Sequence, residues 1–357
     1  MPGYTPFLKF KQNEISAMAE FANARDDDVI PFFDVPRPKD MSAVDILDRL
    51  RIGVKQIEKQ WSKSSFYIDN FDLDDSIQLN GAPQYQYILD AVKHLNAIPV
   101  VALNRDASHN GAALSFAKNS GRELAIRLTQ EDIESYKLTK PSIDALWLQI
   151  ENIEPQEIHL IVDFRVISSD LEKLKGVALN FITAFSGDFF VNKIVFAGSS
   201  IPPVITSILS TNSSVSIERQ EWHLWKRIEG LLPESVAPKC GFGDYGLVSP
   251  DYSDLELEVW LVQGVAAPKV FYTYDTKHFV VRGGAFKTHP SGYGQYFDIA
   301  DALVAKPFFR SFTYSFGEEY IFERSVLAPV RAKRGGSPSS WLKAALVTHI
   351  TFVVDSL

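Results

Sequence analysis

Tyr4-Thr5-Pro6-Phe7-Leu8-Lys9-Phe10-Lys11-Gln12-Asn13-Glu14 is the stretch on which the fold turns. It reads as a strand running straight into a helix. Side chains on a strand alternate between two faces, so Leu8 and Phe10 share one side, and Phe7, Lys9 and Lys11 the other. On a lone half-exposed strand the lysines would simply face water. As the first strand of a parallel barrel, the stretch packs Leu8 and Phe10 under helices. It then sends Lys9 and Lys11 toward the C-terminal mouth, where two ammonium groups need negative partners.

The rest of the chain decides between these readings by repeating the unit. Apolar runs that read as strands follow at Val29–Val35, Ser65–Asn70, Ile98–Asn104, Glu123–Leu128, Glu157–Val166, Asn192–Ser199 and Cys240–Gly246. Between them lie helical stretches. The clearest is 42–61, where Ile46, Leu50, Val54, Ile57 and Trp61 recur at helical spacing. Others span Glu14–Ala24, Pro83–Leu95, 108–119, 131–152, 169–185 and a short one near 204–210, with Trp222–Leu231 as a further candidate. Asp26-Asp27-Asp28 reads as a charged turn. Strand and helix in such alternation mean a parallel sheet, and this number of repeats favours a closed (β/α)8 TIM-barrel-like fold. The alternative is a doubly wound open α/β sheet. That fold usually carries a glycine-rich phosphate loop after an early strand, whereas the first turn here is Lys-Gln-Asn-Glu.

Beyond residue 250 the pattern changes. Lys269–Tyr274 and His278–Arg282 flank Asp275-Thr276-Lys277 and predict a β-hairpin. A helix is expected over 293–305, an irregular aromatic-rich stretch over Phe308–Phe322, and a last helix over Pro338–Val354. The expectation is one barrel domain over 1–357. Within it, 250–337 forms an inserted hairpin and loop subdomain over the barrel mouth, and the last helix closes the ring.

Composition fits an ordinary globular protein with a large core: 357 residues, 46% hydrophobic and 22% charged. A net charge of -8 argues against broad electrostatic binding to nucleic acid or to an anionic membrane, while leaving room for a local basic pocket. No apolar run is long enough to span a bilayer. A single cysteine, Cys240, rules out an intramolecular disulfide and points to a reducing cytoplasm.

In a parallel barrel the active site lies at the C-terminal ends of the strands. Nearly every predicted strand places an ionisable or polar residue there: Lys9 and Lys11, Asp34, Asp69, Asn104 or Arg105, Arg127, Asp163 and Arg165, Ser199, then Asp244 and Tyr245. Polar strand ends also arise where a chain merely enters solvent, and neutralising ion networks can simply hold a barrel together. The whole set is an expensive way only to close a ring, which favours function. Lys9, Asp69, Asp163 and Asp244 are the candidate catalytic groups. A lysine among other cations loses its proton more easily and can act as base or nucleophile. Lys11, Asp34, Arg127, Arg165, Ser199, Tyr245 and Arg282 are the candidate ligand-binding groups. Arginine forks hold phosphate or carboxylate, and Ser199 follows Gly198 where many barrels bind phosphate through backbone N–H groups. The carboxylates could also hold magnesium, but no close carboxylate spacing recurs, so no metal ligands are assigned. The seven histidines form no ligand pair at helical spacing, His349 reads as a packed residue and Cys240 as an inert thiol.

Four spaced segments, in order, resemble a known family. They are Tyr4-x-Pro6-x-Leu8-Lys9-x-Lys11-x-x-Glu14, Gly243-Asp244-Tyr245-Gly246, the hairpin from Tyr272-Thr273 to Arg282-Gly283, and the late helix from Trp341 to His349-Ile350. Together they look like the "beta protein" family of bacteria and phages, over nearly the whole chain. In that family a paired histidine often follows the late tryptophan; Thr348-His349 stands in its place here. The resemblance implies no particular reaction or cofactor. It implies a setting among mobile or defence-related genes, and a possible protein partner in a defence complex. The combined expectation is a small anionic ligand, phosphorylated or nucleotide-like, at the barrel mouth, in an enzyme or in a non-catalytic ligand-sequestering or sensing protein.

Overall fold

The structure, a computed structural model, describes residues 3–25, 29–38, 40, 42–167, 170–251 and 266–357. The Asp26-Asp27-Asp28 turn read from the sequence lies outside them. Strands follow in chain order as β1 (Tyr4–Lys9), β2 (Phe32–Asp34), β3 (Phe66–Asp69), β4 (Gln78–Leu79), β5 (Ala82–Pro83), β6 (Ala97–Ala102) and β7 (Leu124–Thr129). After them come β8 (Ile158–Val166), β9 (Lys193–Ser199), β10 (Ser213–Glu218), β11 (Cys240–Asp244), β12 (Lys269–Tyr274) and β13 (Lys277–Arg282).

Eight of these close into a ring in the order β1-β11-β9-β8-β7-β6-β3-β2. All its neighbours are parallel, and β1 pairs with β2 (Lys9 beside Asp34) and with β11 (Pro6 beside Asp244). The fold is therefore a (β/α)8 barrel, and closure excludes the open doubly wound sheet. Alternation sorts the side chains as parallel strands require. Phe7, Phe32, Tyr67, Ile161, Val195 and Tyr245 meet in one buried interior cluster. Phe7 and Phe32 stack with ring centroids 4.4 Å apart. Leu8, Phe33 and Phe66 belong to the opposite face, where Phe10 and Phe66 both meet the Phe33 ring edge-on. Phe10 is covered by the helix Ala43–Gln60 at Gly53, where an added Cβ would lie 2.3 Å from the Phe10 ring. Glycine is needed there for close approach, not for backbone freedom.

β1 ends at Lys9, two residues short of what the i, i+2 argument for Lys11 requires. Lys11 precedes the helix Gln12–Ala24 and faces solvent.

The chain divides into two compact units, with a boundary inside that first helix. The first contains the barrel and Gln220–Tyr245. The second takes the helix from Ser16 on, Ser200–Arg219, and the chain from Gly246. The second unit is built on an antiparallel sheet in the order β10-β13-β12. The predicted hairpin is β12–β13, with His278 opposite Thr273 and Lys277 opposite Tyr274. β10 has no counterpart in the sequence reading, and the helix expected near 204–210 is a single 3₁₀ turn at Ile205–Ser207. The irregular stretch contains a helix at Phe316–Phe322. The last helix, Pro338–Ser356, was expected to close the ring. It packs on β12 and on Phe316–Phe322, in a core with Tyr272, Tyr296 and Trp341. Among the described residues no helix is long and apolar enough to cross a membrane.

Candidate functional site

At the C-terminal end of the barrel, one guanidinium organises the interior. Arg127, on β7, is fully buried. Its Nη1 donates to Asp34 Oδ1 at 2.9 Å and to Asp69 Oδ2 at 2.7 Å. Nε and Nη2 donate to Asp163 Oδ2 at 3.1 and 2.7 Å, and Nη2 also donates to the Tyr245 hydroxyl at 2.9 Å. Arginine has five N–H donors, and these five contacts use all of them. Tyr245 in turn donates to Asp163 Oδ2 at 2.6 Å. β2, β3, β7, β8 and the end of β11 thus send one residue each into a single knot. Asp34, Asp69, Arg127, Asp163 and Tyr245 were all read from the sequence, and the fold brings all five together.

Burial works against the charge on Arg127, but Asp34, Tyr245, Asp163 and Asp69 outweigh it and hold the guanidinium protonated. The carboxylates differ from one another. Burial alone would raise the pKa of Asp69; Arg105 and Arg127 overcome this and lower it to about 2. For Asp34 burial prevails over Arg127 and Lys9, and its pKa is raised. Burial, reinforced by Asp163, pushes the Tyr245 phenol far above its usual range, so it is a fixed proton donor.

A second tier lies beside the knot, supplied by the loop after β3. Asp72 Oδ2 accepts from Lys9 Nζ at 2.8 Å, and its Oδ1 accepts from Arg165 Nη2 at 3.3 Å. Arg105 donates to Asp69 Oδ1 at 2.9 Å and to Asp75 Oδ1 at 3.2 Å. The Phe71 ring is shared by three guanidiniums, with the carbon of Arg127 4.3 Å, of Arg165 4.4 Å and of Arg105 5.2 Å from its centroid. Arg165 reaches this place by an irregular route. The β8–β9 register shifts between Asp163 and Val166, and Arg165 takes the left-handed conformation with φ 51°. Its N–H donates to Asp163 Oδ1 at 2.9 Å, tying the bulge to the knot. Burial would lower the Arg165 pKa, but Tyr245, Asp163 and Asp72 raise it.

Two more titratable groups follow β1, Lys11 just before the helix Gln12–Ala24 and Glu14 in its first turn. Glu14 is buried, and desolvation raises its pKa against the pull of Lys11 and Lys9. Desolvation lowers the pKa of Lys11 despite its solvent-facing position; Glu14 opposes this shift, while Arg49 and Lys9 add to it.

Three sequence-read positions fall elsewhere or play a smaller part. Asp244 lies on the outer face of β11, because Gly243 takes the inward position against Val195 and Ala197. There Asp244 accepts from Tyr4 at 2.8 Å, beside the Tyr4–Phe242 ring pair. Ser199 is buried at the end of β9, and its carbonyl accepts from the Ile167 N–H just past the bulge. Arg282 belongs to the second unit, where it donates to the Leu209 carbonyl at 3.1 Å and lines a cavity of about 290 Å³ with Asn212, His289 and Asp298. Phe71, Asp72 and Asp75 were missed as site residues. Their signal was the acidic stretch Phe71-Asp72-Leu73-Asp74-Asp75 directly after a barrel strand.

The second unit has its own polar centre. Buried Glu318 accepts from Tyr272 (3.1 Å), Arg310 Nε (2.9 Å), Thr348 (3.1 Å) and Ser315. The Thr273 hydroxyl links His278 Nδ1 at 3.0 Å with His349 Nδ1 at 2.8 Å. Both rings are buried, so this is a packed arrangement. Cys240 is buried too, and burial pushes its thiol up to about 12, out of the reactive range. Among the described residues no group of three or more His, Cys, Asp or Glu side chains is placed to hold a metal ion.

A family model described as Beta protein matches residues 4–355, nearly the whole chain, and the chain belongs to this family. A search of curated proteins returns no match.

Proposed function

We propose that this member of the beta protein family binds a small anionic ligand, phosphorylated or nucleotide-like, at the C-terminal mouth of its barrel. The observation that carries the reading is the convergence of Lys9 and Arg165 on one carboxylate, Asp72, beside the buried knot. Two cations aimed at one point, in a place where water is scarce, suit a phosphate or carboxylate. Lys11 interacts electrostatically with Lys9 and so adds to that field. Arg127 has no donor left to offer a ligand. Its part is to fix Asp34, Asp69 and Asp163 as a rigid floor.

We further propose that the protein is an enzyme. Asp69, held by Arg105 and Arg127, serves as fixed charge, and Asp163 anchors Arg127 and Tyr245. Asp34 and Glu14 are the carboxyls that burial inclines to carry a proton, which suits general acid–base work. Lys9, packed among other cations, positions the anion. A second reading, a protein that sequesters or senses its ligand without turnover, is favoured by the saturation of Arg127, since a floor with every donor engaged holds a ligand without moving protons. A role in phage defence or counter-defence, alone or with a protein partner, is proposed from the family resemblance.

The test is native mass spectrometry of purified protein, with denaturing extraction and small-molecule analysis, run beside the Lys9→Ala/Arg165→Ala double variant. A co-purifying anion absent from the folded variant supports the reading and names the ligand class. An empty wild type whose thermal stability does not respond to a nucleotide and sugar-phosphate panel overturns it. A ligand recovered unchanged after incubation with active wild type selects the sequestering reading over the enzyme.

A further inference from the structure

The loop after β3 places an aromatic ring and a carboxylate, on adjacent residues, where the proposed ligand would sit. We infer that Phe71 and Asp72 are stand-ins for the two halves of that ligand, a flat heteroaromatic ring and a phosphate, and that a nucleotide binds by displacing both side chains. This inference rests on the anion-site reading above and adds the ligand's second half and the state of the site without it.

Asp72 fills the anion position. Its two oxygens are divided between Lys9 and Arg165, and it is almost fully buried, with 7% of its side chain exposed. A phosphate would take the same two donors and supply more oxygens to them. Phe71 fills the ring position. Three guanidinium carbons lie within 5.2 Å of its centroid. A phenyl ring attracts each only through its quadrupole. A heteroaromatic base presents a π face of at least that size to the same planar cations, together with acceptor atoms at its edge. One such acceptor would meet Arg105 Nε, which is buried and has no hydrogen-bond partner among the described residues. A buried guanidinium N–H left unmatched costs free energy, and a ring nitrogen or carbonyl is the kind of atom that would satisfy it.

The loop can give way without unravelling. Its backbone is held independently by the Leu73 N–H to the Asn70 carbonyl and the Ile77 N–H to the Asp74 carbonyl, at 2.9 and 3.1 Å. Asn70 is bonded to Gln84, and Leu73 is buried. Rotation of two side chains is therefore enough to vacate the position. The charge change runs in the same direction: once Asp72 swings out, Lys9 and Arg165 lose the carboxylate they share, and an incoming phosphate takes its place.

The experiment is equilibrium binding by calorimetry to the full chain, with adenosine, guanosine, cytidine and uridine monophosphates, ribose 5-phosphate and inorganic phosphate as probes. The proteins are wild type, Phe71→Leu, Phe71→Ala, Asp72→Asn and the Phe71→Ala/Asp72→Asn double variant, each checked for native circular dichroism. Asp72→Asn is expected to tighten all phosphorylated probes about tenfold. Phe71→Ala is expected to tighten only the probes that carry a base. If wild type binds nucleotides and the variants bind them equally or more weakly, Phe71 and Asp72 are ordinary contacts and the inference falls while the anion site stands. If no folded protein binds any probe at millimolar concentration, the anion-site reading falls and the inference with it. Phe71→Leu keeps apolar bulk, so a gain in base-bearing probes there too separates ring displacement from loosening of the loop.

Discussion

Arg127 meets one oxygen of Asp163 twice, through Nε at 3.1 Å and Nη2 at 2.7 Å, so that the carboxylate caps the edge of the guanidinium. Three aspartates and a phenol are bonded to that one cation. Replacing Arg127 with methionine keeps much of the volume, takes the guanidinium away from buried Asp34 and Asp163, and leaves Asp69 with Arg105 as its cation. The expected cost is about 3–5 kcal/mol, the range for breaking a buried ion pair from one side. Arg127→Lys should recover only part of it, because an ammonium has three donors in place of five. Thermal and urea unfolding of the two variants check this. A methionine variant as stable as wild type would show that the knot does not hold the barrel.

Acid should act on this knot in two opposite ways. Asp69 titrates at about 2 in the folded protein, and an unfolded aspartate near 3.9. Between those values the unfolded chain binds more protons, so stability rises with pH. The contribution is on the order of 2–3 kcal/mol, complete above the unfolded pKa and lost as pH falls through about 2. Asp34 has a raised folded pKa. Its contribution is present below the unfolded pKa and is lost as pH rises toward the folded one. Melting temperatures measured from pH 2 to 7 should therefore lose their acid-side rise in Asp69→Asn. Asp34→Asn should keep that rise and lose a decline above pH 4. Identical profiles for the two variants would contradict the division of roles.

The knot was legible in part, for a physical reason. Asp34, Asp69, Arg127 and Asp163 each end an apolar run, and in a closed barrel such a run has one polar exit. Which cation faces which carboxylate depends on register between strands far apart in sequence, and periodicity carries no information on that. Asp244 was misplaced by parity: a strand whose inward positions are Gly241 and Gly243 shows no apolar alternation from which to judge its faces. Lys11 was misplaced because the strand stops at Lys9 and the alternation stops with it. Asp72 and Phe71 looked like solvated loop, since the cations that hold them come from β1, β7, β8 and the loop after β6. β10 was missed because its serines alternate with Val215 and Ile217 on a partly exposed sheet, a pattern easily read as a polar loop.

The second unit offers a comparable test without a ligand. Glu318 accepts four hydrogen bonds and is fully buried. Glu318→Gln puts an NH₂ group among donors and removes the charge facing Arg310. The expected loss is about 2–4 kcal/mol. Hydrogen exchange should show it as reduced protection across Lys269–Arg282 and Pro338–Ser356. Unchanged protection there would mean that the aromatic core around Trp341 carries this unit unaided.

Packing on the outer face of the barrel makes a sharper prediction. Alanine is ordinarily better than glycine inside a helix by about 0.8–1.0 kcal/mol. At Gly53 the added methyl would fall 2.3 Å from the Phe10 ring. Gly53→Ala should therefore destabilise, by about 1–3 kcal/mol. In the Phe10→Leu background, where the ring edge is gone, the same substitution should be neutral or stabilising. A double-mutant cycle reads the coupling directly, and additivity of the two changes would refute the contact.

Arg165 combines strain with position, and the two can be separated. A non-glycine residue in the left-handed region costs roughly 1 kcal/mol or more, and Arg165 holds φ 51° in the bulge beside Asp163. Arg165→Ala keeps the strain and loses the pairing with Asp72. Arg165→Gly loses the pairing and relieves the strain. The glycine variant should accordingly be more stable than the alanine variant by about 1 kcal/mol, while both lose affinity for phosphate-bearing probes to the same extent. That split, stability recovered and binding not, is expected where a strained backbone aims a cation at a ligand. If glycine restores binding as well, the guanidinium is not the group that holds the anion. If glycine is no more stable than alanine, the bulge stores no strain.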